Sequence, residues 1–141
     1  MEYVIDASVA VKWFIPEPQS DRAEGLLRDF LRQRIFLTAP DVLVAEVGNT
    51  LWKRSARRGE IPIWQAKQSN VDFLRLKIPL QSSAEIAEKA FNLAAHENHP
   101  LYDAIYIVLA SERGCQFITA DRILINRLQP KFPLIRWLGS P

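Results

Sequence analysis

Cysteine is almost absent from this chain: Cys115 is the only one. A single cysteine cannot form an internal disulfide, so a reducing cytoplasm is the natural setting. Long apolar runs are also missing. The longest, Ala104 to Ala110, is far short of the roughly 20 residues that span a bilayer, so no membrane association is expected. The first residues include Glu2 and Asp6 but no basic stretch, so no signal peptide is expected either. The five glycines form neither G-x-G-x-x-G nor a Walker A loop, and no G-x-S-x-G elbow occurs. Nucleotide-cofactor and serine-hydrolase chemistry therefore lack their usual frame. His96 and His99 are the only histidines. With no further His or Cys ligands they read as surface residues rather than a zinc site. Repeats and low-complexity segments are lacking too.

What is present fits one domain spanning residues 1–141. At 48% hydrophobic and 24% charged, the chain can bury one full core. Its net charge of +2 permits a polyanionic partner without specifying one. Strand and helix patterns alternate. That predicts an α/β fold of three layers, α/β/α, with a mostly parallel central sheet of four to five strands.

Tyr3-Val4-Ile5 reads as a buried strand ending on Asp6. A short helix follows, stopped by Pro16 and Pro18. Asp21 and Glu24 have the spacing of a capping-box variant before an amphipathic helix. Residues 34–39 read as a second strand, and Asp41 can cap the helix after it. That helix is expected over 42–58, with Gly59 at its end. Another should start near Pro62 and stop before Ile78. Ser82 and Glu85 again have capping-box spacing and should open a helix through His96. Residues 101–113 form the most apolar helix pattern, expected to be the central buried one, ended by Gly114. Residues 115–119 read as a strand, 122–128 as a short helix, and 134–137 as an edge strand. Gly139-Ser140-Pro141 reads as a loose tail.

Four acids stand out against this background. Asp6 and Asp121 each follow a strand, where an acid also serves as an ordinary N-cap. Asp103 lies in the first turn of the apolar helix, where it complements the helix dipole. Glu46 sits among Val42, Leu43, Val44, Ala45 and Val47, either snorkelling at the edge of that face or held for a purpose. Together they mean more than singly. If strands 2–5 and 115–119 are parallel neighbours, Asp6 and Asp121 emerge at one sheet edge, and a right-handed crossover starts the Asp103 helix there. Carboxylates crowded in one crevice repel unless protonated or bridged by a cation. An all-oxygen donor set selects a hard ion, Mg²⁺ or Mn²⁺. Such an ion suits phosphoryl chemistry.

At these residues the sequence resembles the PIN-domain ribonucleases. The resemblance lies in V-I-D-A-S-V-A-V-K-W-F, A-E-V-G-N-T-L-W-K, P-L-Y-D-A-I-Y-I-V-L-A and F-I-T-A-D. The four blocks occur in order along essentially the whole chain and are most similar to VapC-type toxins of toxin–antitoxin pairs. The resemblance implies a PIN-like fold and a Mg²⁺- or Mn²⁺-dependent endoribonuclease leaving a 5′-phosphate and a 3′-hydroxyl. Asp6, Glu46, Asp103 and Asp121 would be its catalytic and metal-binding acids. Ser8 and Thr119 would orient those carboxylates or a metal water. It further implies an RNA substrate, a cognate antitoxin, a homodimer within a larger toxin–antitoxin assembly, and a cytoplasmic location.

Lys53, Arg54, Arg57 and Arg58 load one helix end with cations. Lys53 and Arg57, with Lys12, are candidate RNA contacts; dipole complementarity and solubility are the readier explanation of the helix-end cations. Trp52 and Trp64 are candidate interface residues, while Trp13 and Phe14 read as packing residues. Other classes fit less well. A non-toxin PIN nuclease of RNA processing shares all the motifs. A receiver domain would need a phosphoacceptor Asp on a middle strand and a strand-end Lys after Asp121. A haloacid-dehalogenase-like phosphatase would need Asp-x-Asp where Asp6-Ala7-Ser8 stands. A nuclease fold kept only for binding would not need the intact acids.

Overall fold

Along β1, Glu2–Ile5, side chains alternate between two apolar layers. Val4 joins the cluster containing Ala39, Phe117 and Ile135, whereas Tyr3 and Ile5 join Leu37 and Ile118 in the other. This period of two, apolar on both faces, is the signature of a strand buried between helices. The computed structural model, which describes residues 1–140, puts β1 in the middle of a five-stranded sheet. Its neighbours are β2 (Phe36–Pro40) and β4 (Gln116–Thr119), and its edges are β3 (Leu80–Gln81) and β5 (Ile135–Trp137). The order is β3-β2-β1-β4-β5 and every pairing is parallel. The expected α/β sheet is therefore wholly rather than mostly parallel.

The two faces are covered unequally. Helix α2 (Ser20–Leu31) lies over the Tyr3 and Ile5 face, contributing Ala23, Leu26 and Phe30. The Val4 face carries α3 (Val42–Trp52), α4 (Ile63–Arg75), α5 (Ala87–Glu97), α6 (Leu101–Arg113) and α7 (Arg122–Leu128). The short α1 (Ala7–Ala10) continues into a 3₁₀ turn, Val11–Trp13. As its composition demands, α6 is the central helix: Ala104 through Ala110 are all buried. Tyr106 stacks on Phe117 with ring centroids 5.4 Å apart. Gly114, at φ 63°, closes the helix in the left-handed region where glycine carries no Cβ penalty.

Several local expectations are corrected. The helix after β2 does not stay α-helical to residue 58, because Lys53–Arg57 widens into a π turn. Asp41 makes no side-chain cap on α3; its Oδ1 accepts the Ser83 amide instead, tying β2's end to the next connection. Asp21 lies inside the first turn of α2, behind Gln19 in a left-handed conformation. Ser82 precedes only a 3₁₀ turn, Ser83–Glu85, and α5 begins at Ala87. The tail is partly anchored. Ser140 N–H donates to Trp137 O at 2.9 Å, and Arg22 Nη1 reaches Ser140 O at 2.5 Å. Pro141 lies outside the described residues.

Candidate active site

Parallel pairing of Ile5 with Ile118 brings the carboxyl ends of β1 and β4 side by side. Ligand crevices form at such ends in open α/β sheets. A cleft of about 760 Å³ opens there, lined by Asp6, Ser8, Lys12, Glu17, Glu46, Thr50, Arg54, Asp103, Asp121, Arg122 and Trp137 among others. All four acids singled out by sequence line it, each delivered by a different element. Asp6 caps α1, Glu46 projects from α3, Asp103 sits in the first turn of α6, and Asp121 caps α7.

Asp6 is buried and its orientation is fixed from three sides. Ser8 Oγ donates to Oδ1 and Thr119 Oγ1 donates to Oδ2, both at 2.5 Å; the Val9 amide reaches Oδ1 at 3.4 Å. Ser8 and Thr119 also bind the other strand end. Ser8 Oγ accepts the Ala120 amide at 2.8 Å, and Thr119 Oγ1 accepts the Asp121 amide at 3.1 Å. The two hydroxyls thus stitch the ends of β1 and β4 together through Asp6. Asp121 Oδ1 accepts the Ile123 and Leu124 amides at 2.9 and 3.2 Å, so its capping role and its place in the cleft coexist.

Electrostatics mark the cleft as strained toward protonation. Burial pushes the Asp6 carboxyl up to about 6 against the pull of Ser8 and Thr119, and Asp103 pushes it the same way. Burial, then Asp6 and Asp103, raise Glu46 to about 7. Asp103 is raised as well, by burial first, although His99 opposes the shift. Glu46 Oε2 accepts from the Tyr106 hydroxyl at 3.4 Å, while its buried Oε1 has no partner among the described residues. A half-satisfied buried carboxylate is costly and calls for an explanation.

Sequence reading missed His99. It is buried, not on the surface, and its Nε2 lies 2.6 Å from Asp103 Oδ2. Its Nδ1 has no partner among the described residues. The signal was available in the helical i, i+4 spacing to Asp103, across the Pro100 that caps α6. His96 is exposed as expected. Of the suggested RNA contacts, Lys12 lines the cleft and is buried. Lys53 and Arg57 are exposed and do not line it; Arg54, from the same π turn, does. Glu17, Arg122 and Trp137 were also not anticipated there. The Arg122 guanidinium lies 3.7 Å over the Trp137 ring.

The donor set suits a hard divalent cation. It is all oxygen, it includes one orphaned buried carboxylate oxygen, and its acids raise one another's affinity for positive charge. The acids line one cleft rather than closing on a point. Among the described residues no group of three or more His, Cys, Asp or Glu side chains forms a finished cage. Asp103 and Asp121 are instead partly engaged, by His99 and by backbone amides.

An all-parallel sheet with four acids in the cleft at its carboxyl edge defines a class. The chain belongs to the PIN domain family, which it matches over residues 3–128. It is of the VapC type: it is 34% identical over 139 residues to ribonuclease VapC3 of Pyrobaculum aerophilum, covering 96% of this chain and 98% of that protein. The fold is also that of PAE2754 from Pyrobaculum aerophilum, whose crystal structure superposes with a TM-score of 0.66 at 20% identity, covering 98% of this chain and 91% of that one.

Proposed function

We propose that this protein is a metal-dependent endoribonuclease, the toxin of a toxin–antitoxin pair. The observation that carries the proposal is the meeting of Asp6, Glu46, Asp103 and Asp121 in one cleft. The 34% identity to ribonuclease VapC3 supports the same reading. Asp6 and Asp103 would be the most direct ligands of Mg²⁺ or Mn²⁺, with Glu46 and Asp121 completing the acidic wall. A bound divalent ion supplies charge neutralisation at the phosphate and a more acidic water. The protein's own part is positional. Ser8 and Thr119 hold Asp6 in one rotamer and His99 holds Asp103, while Glu46 and Asp121 would bind a second ion or orient the attacking water. Water adds in line at phosphorus, the bond to the 3′ oxygen breaks, and the products are a 5′-phosphate and a 3′-hydroxyl.

Two surfaces support the partner assignments. A second, more apolar cleft shares Glu46, Thr50 and Asp103 with the first and adds Val42, Ala45, Pro100 and Tyr102. An antitoxin segment lying there would reach the acids directly. Trp52 on α3 and Trp64 on α4 are 49% and 69% exposed, unusual for tryptophan, and are assigned to the homodimer contact. The cytoplasm is proposed as the protein's site of action on the likeness to VapC3; no helix among the described residues is long and apolar enough to cross a membrane.

The decisive experiment is RNA cleavage by purified protein with and without Mg²⁺ or Mn²⁺. Ion-dependent cuts leaving 5′-phosphates are expected. A protein that binds RNA yet never cuts it with either ion would leave only a binding role.

A further inference from the structure

Lys12 is the anomaly in this cleft. It is only 9% exposed, and lysines are almost never so buried unless paired. Its Nζ lies 2.9 Å from Glu17 Oε1. The other oxygen of the same carboxylate, Oε2, lies 2.8 Å from Arg54 Nη1, which also reaches Glu60 Oε2 at 3.0 Å. Glu17 therefore spends both oxygens on two separate cations. Burial raises its carboxyl, but Arg54 and Lys12 outweigh that and hold it below the usual carboxylate range.

All three side chains line the cleft that holds the four acids. Lys12 arrives on the 3₁₀ turn directly after α1, and Arg54 on the π turn at the end of α3. Asp6 caps the first of these helices and Glu46 projects from the second. π turns recur at functional sites because they re-aim a side chain. Without a second role, two cations balanced by Glu17 and Glu60 add little to a wall that already carries excess negative charge. With an RNA strand in the cleft the balance differs. A phosphodiester presents two anionic oxygens on one atom, as a carboxylate does, and both guanidinium and ammonium groups bind it.

We propose that Lys12 and Arg54 form the seat for an RNA backbone phosphate next to the cleaved bond, and that Glu17 occupies this seat as an internal surrogate until the strand displaces it. The proposal rests on the ribonuclease reading above and adds to it a binding subsite with its own built-in competitor. Arg54 keeps Glu60 as an anchor when Glu17 leaves, so the seat stays formed.

The test is the salt dependence of binding to a labelled single-stranded RNA, with Ca²⁺ present to limit turnover. Each phosphate contact on a single strand contributes about 0.7 to the slope of log affinity against log salt. Lys12→Gln and Arg54→Gln together empty the seat and should lower that slope by about 0.7, the share of one phosphate, and Arg54→Gln alone should lower it by part of that. Arg54→Lys, which keeps the charge, should retain it. Glu17→Gln should tighten RNA binding several-fold at fixed salt, because the surrogate is weakened and both cations remain. A purely structural clamp gives the opposite pattern. Slopes would stay unchanged in the folded Arg54→Gln protein, and Glu17→Gln would not tighten binding. That result in a protein whose wild type still cuts RNA overturns the seat and leaves the ribonuclease standing. A wild type that neither binds nor cuts RNA overturns both.

Discussion

His99 Nε2 sits 2.6 Å from Asp103 Oδ2, linking a buried ring just before α6 to an acid in that helix's first turn. The imidazole engages one oxygen of a carboxylate that lines the cleft. Orienting partners of metal ligands commonly contribute 10–100-fold to affinity. His99→Ala should therefore weaken Mn²⁺ binding, followed by titration calorimetry, by about that factor. His99→Gln, whose amide nitrogen reaches the Nε2 position, should recover most of the loss; His99→Asn, whose amide is shorter, should not. Equal affinities in all three would show that the pair only packs.

Asp6→Asn should abolish ion-dependent cleavage while the protein stays folded. The amide keeps the shape but loses the charge at the most buried acid of the cleft. Circular dichroism reports the fold, and an RNA gel assay reports the activity. Wild-type rates in a folded Asp6→Asn protein would remove Asp6 from the site.

Thr119→Val keeps the side-chain shape and strands two buried groups. Asp6 Oδ2 loses its donor and the Asp121 amide loses its acceptor. Leaving buried polar groups unpaired costs about 1–3 kcal/mol, which urea unfolding will resolve. A stability within about 0.5 kcal/mol of wild type, the range of neutral surface changes, would mean that the stitch between β1 and β4 carries no weight.

The raised acids fix a sign for stability against pH. Glu46 titrates from 4.5 in an unfolded chain to about 7 in the fold, and Asp6 from 3.8 to about 6. Groups raised by folding contribute stability below their unfolded pKa and lose it as pH rises through the folded one. Without divalent ions, the wild type should lose stability relative to Glu46→Gln as pH goes from about 4.5 to 7. Saturating Mn²⁺ at pH 7 should restore it, because binding to the ionised native state favours folding. Thermal melts across this range check both halves, and a constant gap between the two proteins would contradict the shift.

On the proposed homodimer, Trp64→Ser should give a lighter species than the wild type in light scattering after size exclusion, since Trp64 is 69% exposed in the single chain. An unchanged mass would move the dimer contact elsewhere.

Much of this arrangement was legible in the sequence. The sheet and α6 announce themselves through burial period, and α6 and α7 begin and end where capping and glycine signals put them. The acids were legible because each breaks an apolar context or ends a strand. Glu17 was not, since it lies between Pro16 and Pro18 and reads as a simple helix stop. Its partners are set by tertiary contact, not by spacing. Arg54 could not be told from Lys53 and Arg57 without the phase of the helix end, and the π turn changes that phase with no compositional mark. His99 was misplaced because a residue before proline reads as surface punctuation. Its burial follows from the packing of α5 on α6, which no local pattern carries.

The central position of β1 has one more consequence. The strand made first is the one that must be flanked by β2 and β4 before Asp6 can be held, and β4 arrives more than a hundred residues later in synthesis (Thr119 to Asp6 spans 113 positions). A nascent chain lacking β4 has neither the Thr119 hydroxyl that holds Asp6 nor Asp121, so a ribosome-bound fragment would lack two parts of the proposed site. On that proposal the site is assembled only once β4 is in place beside β1.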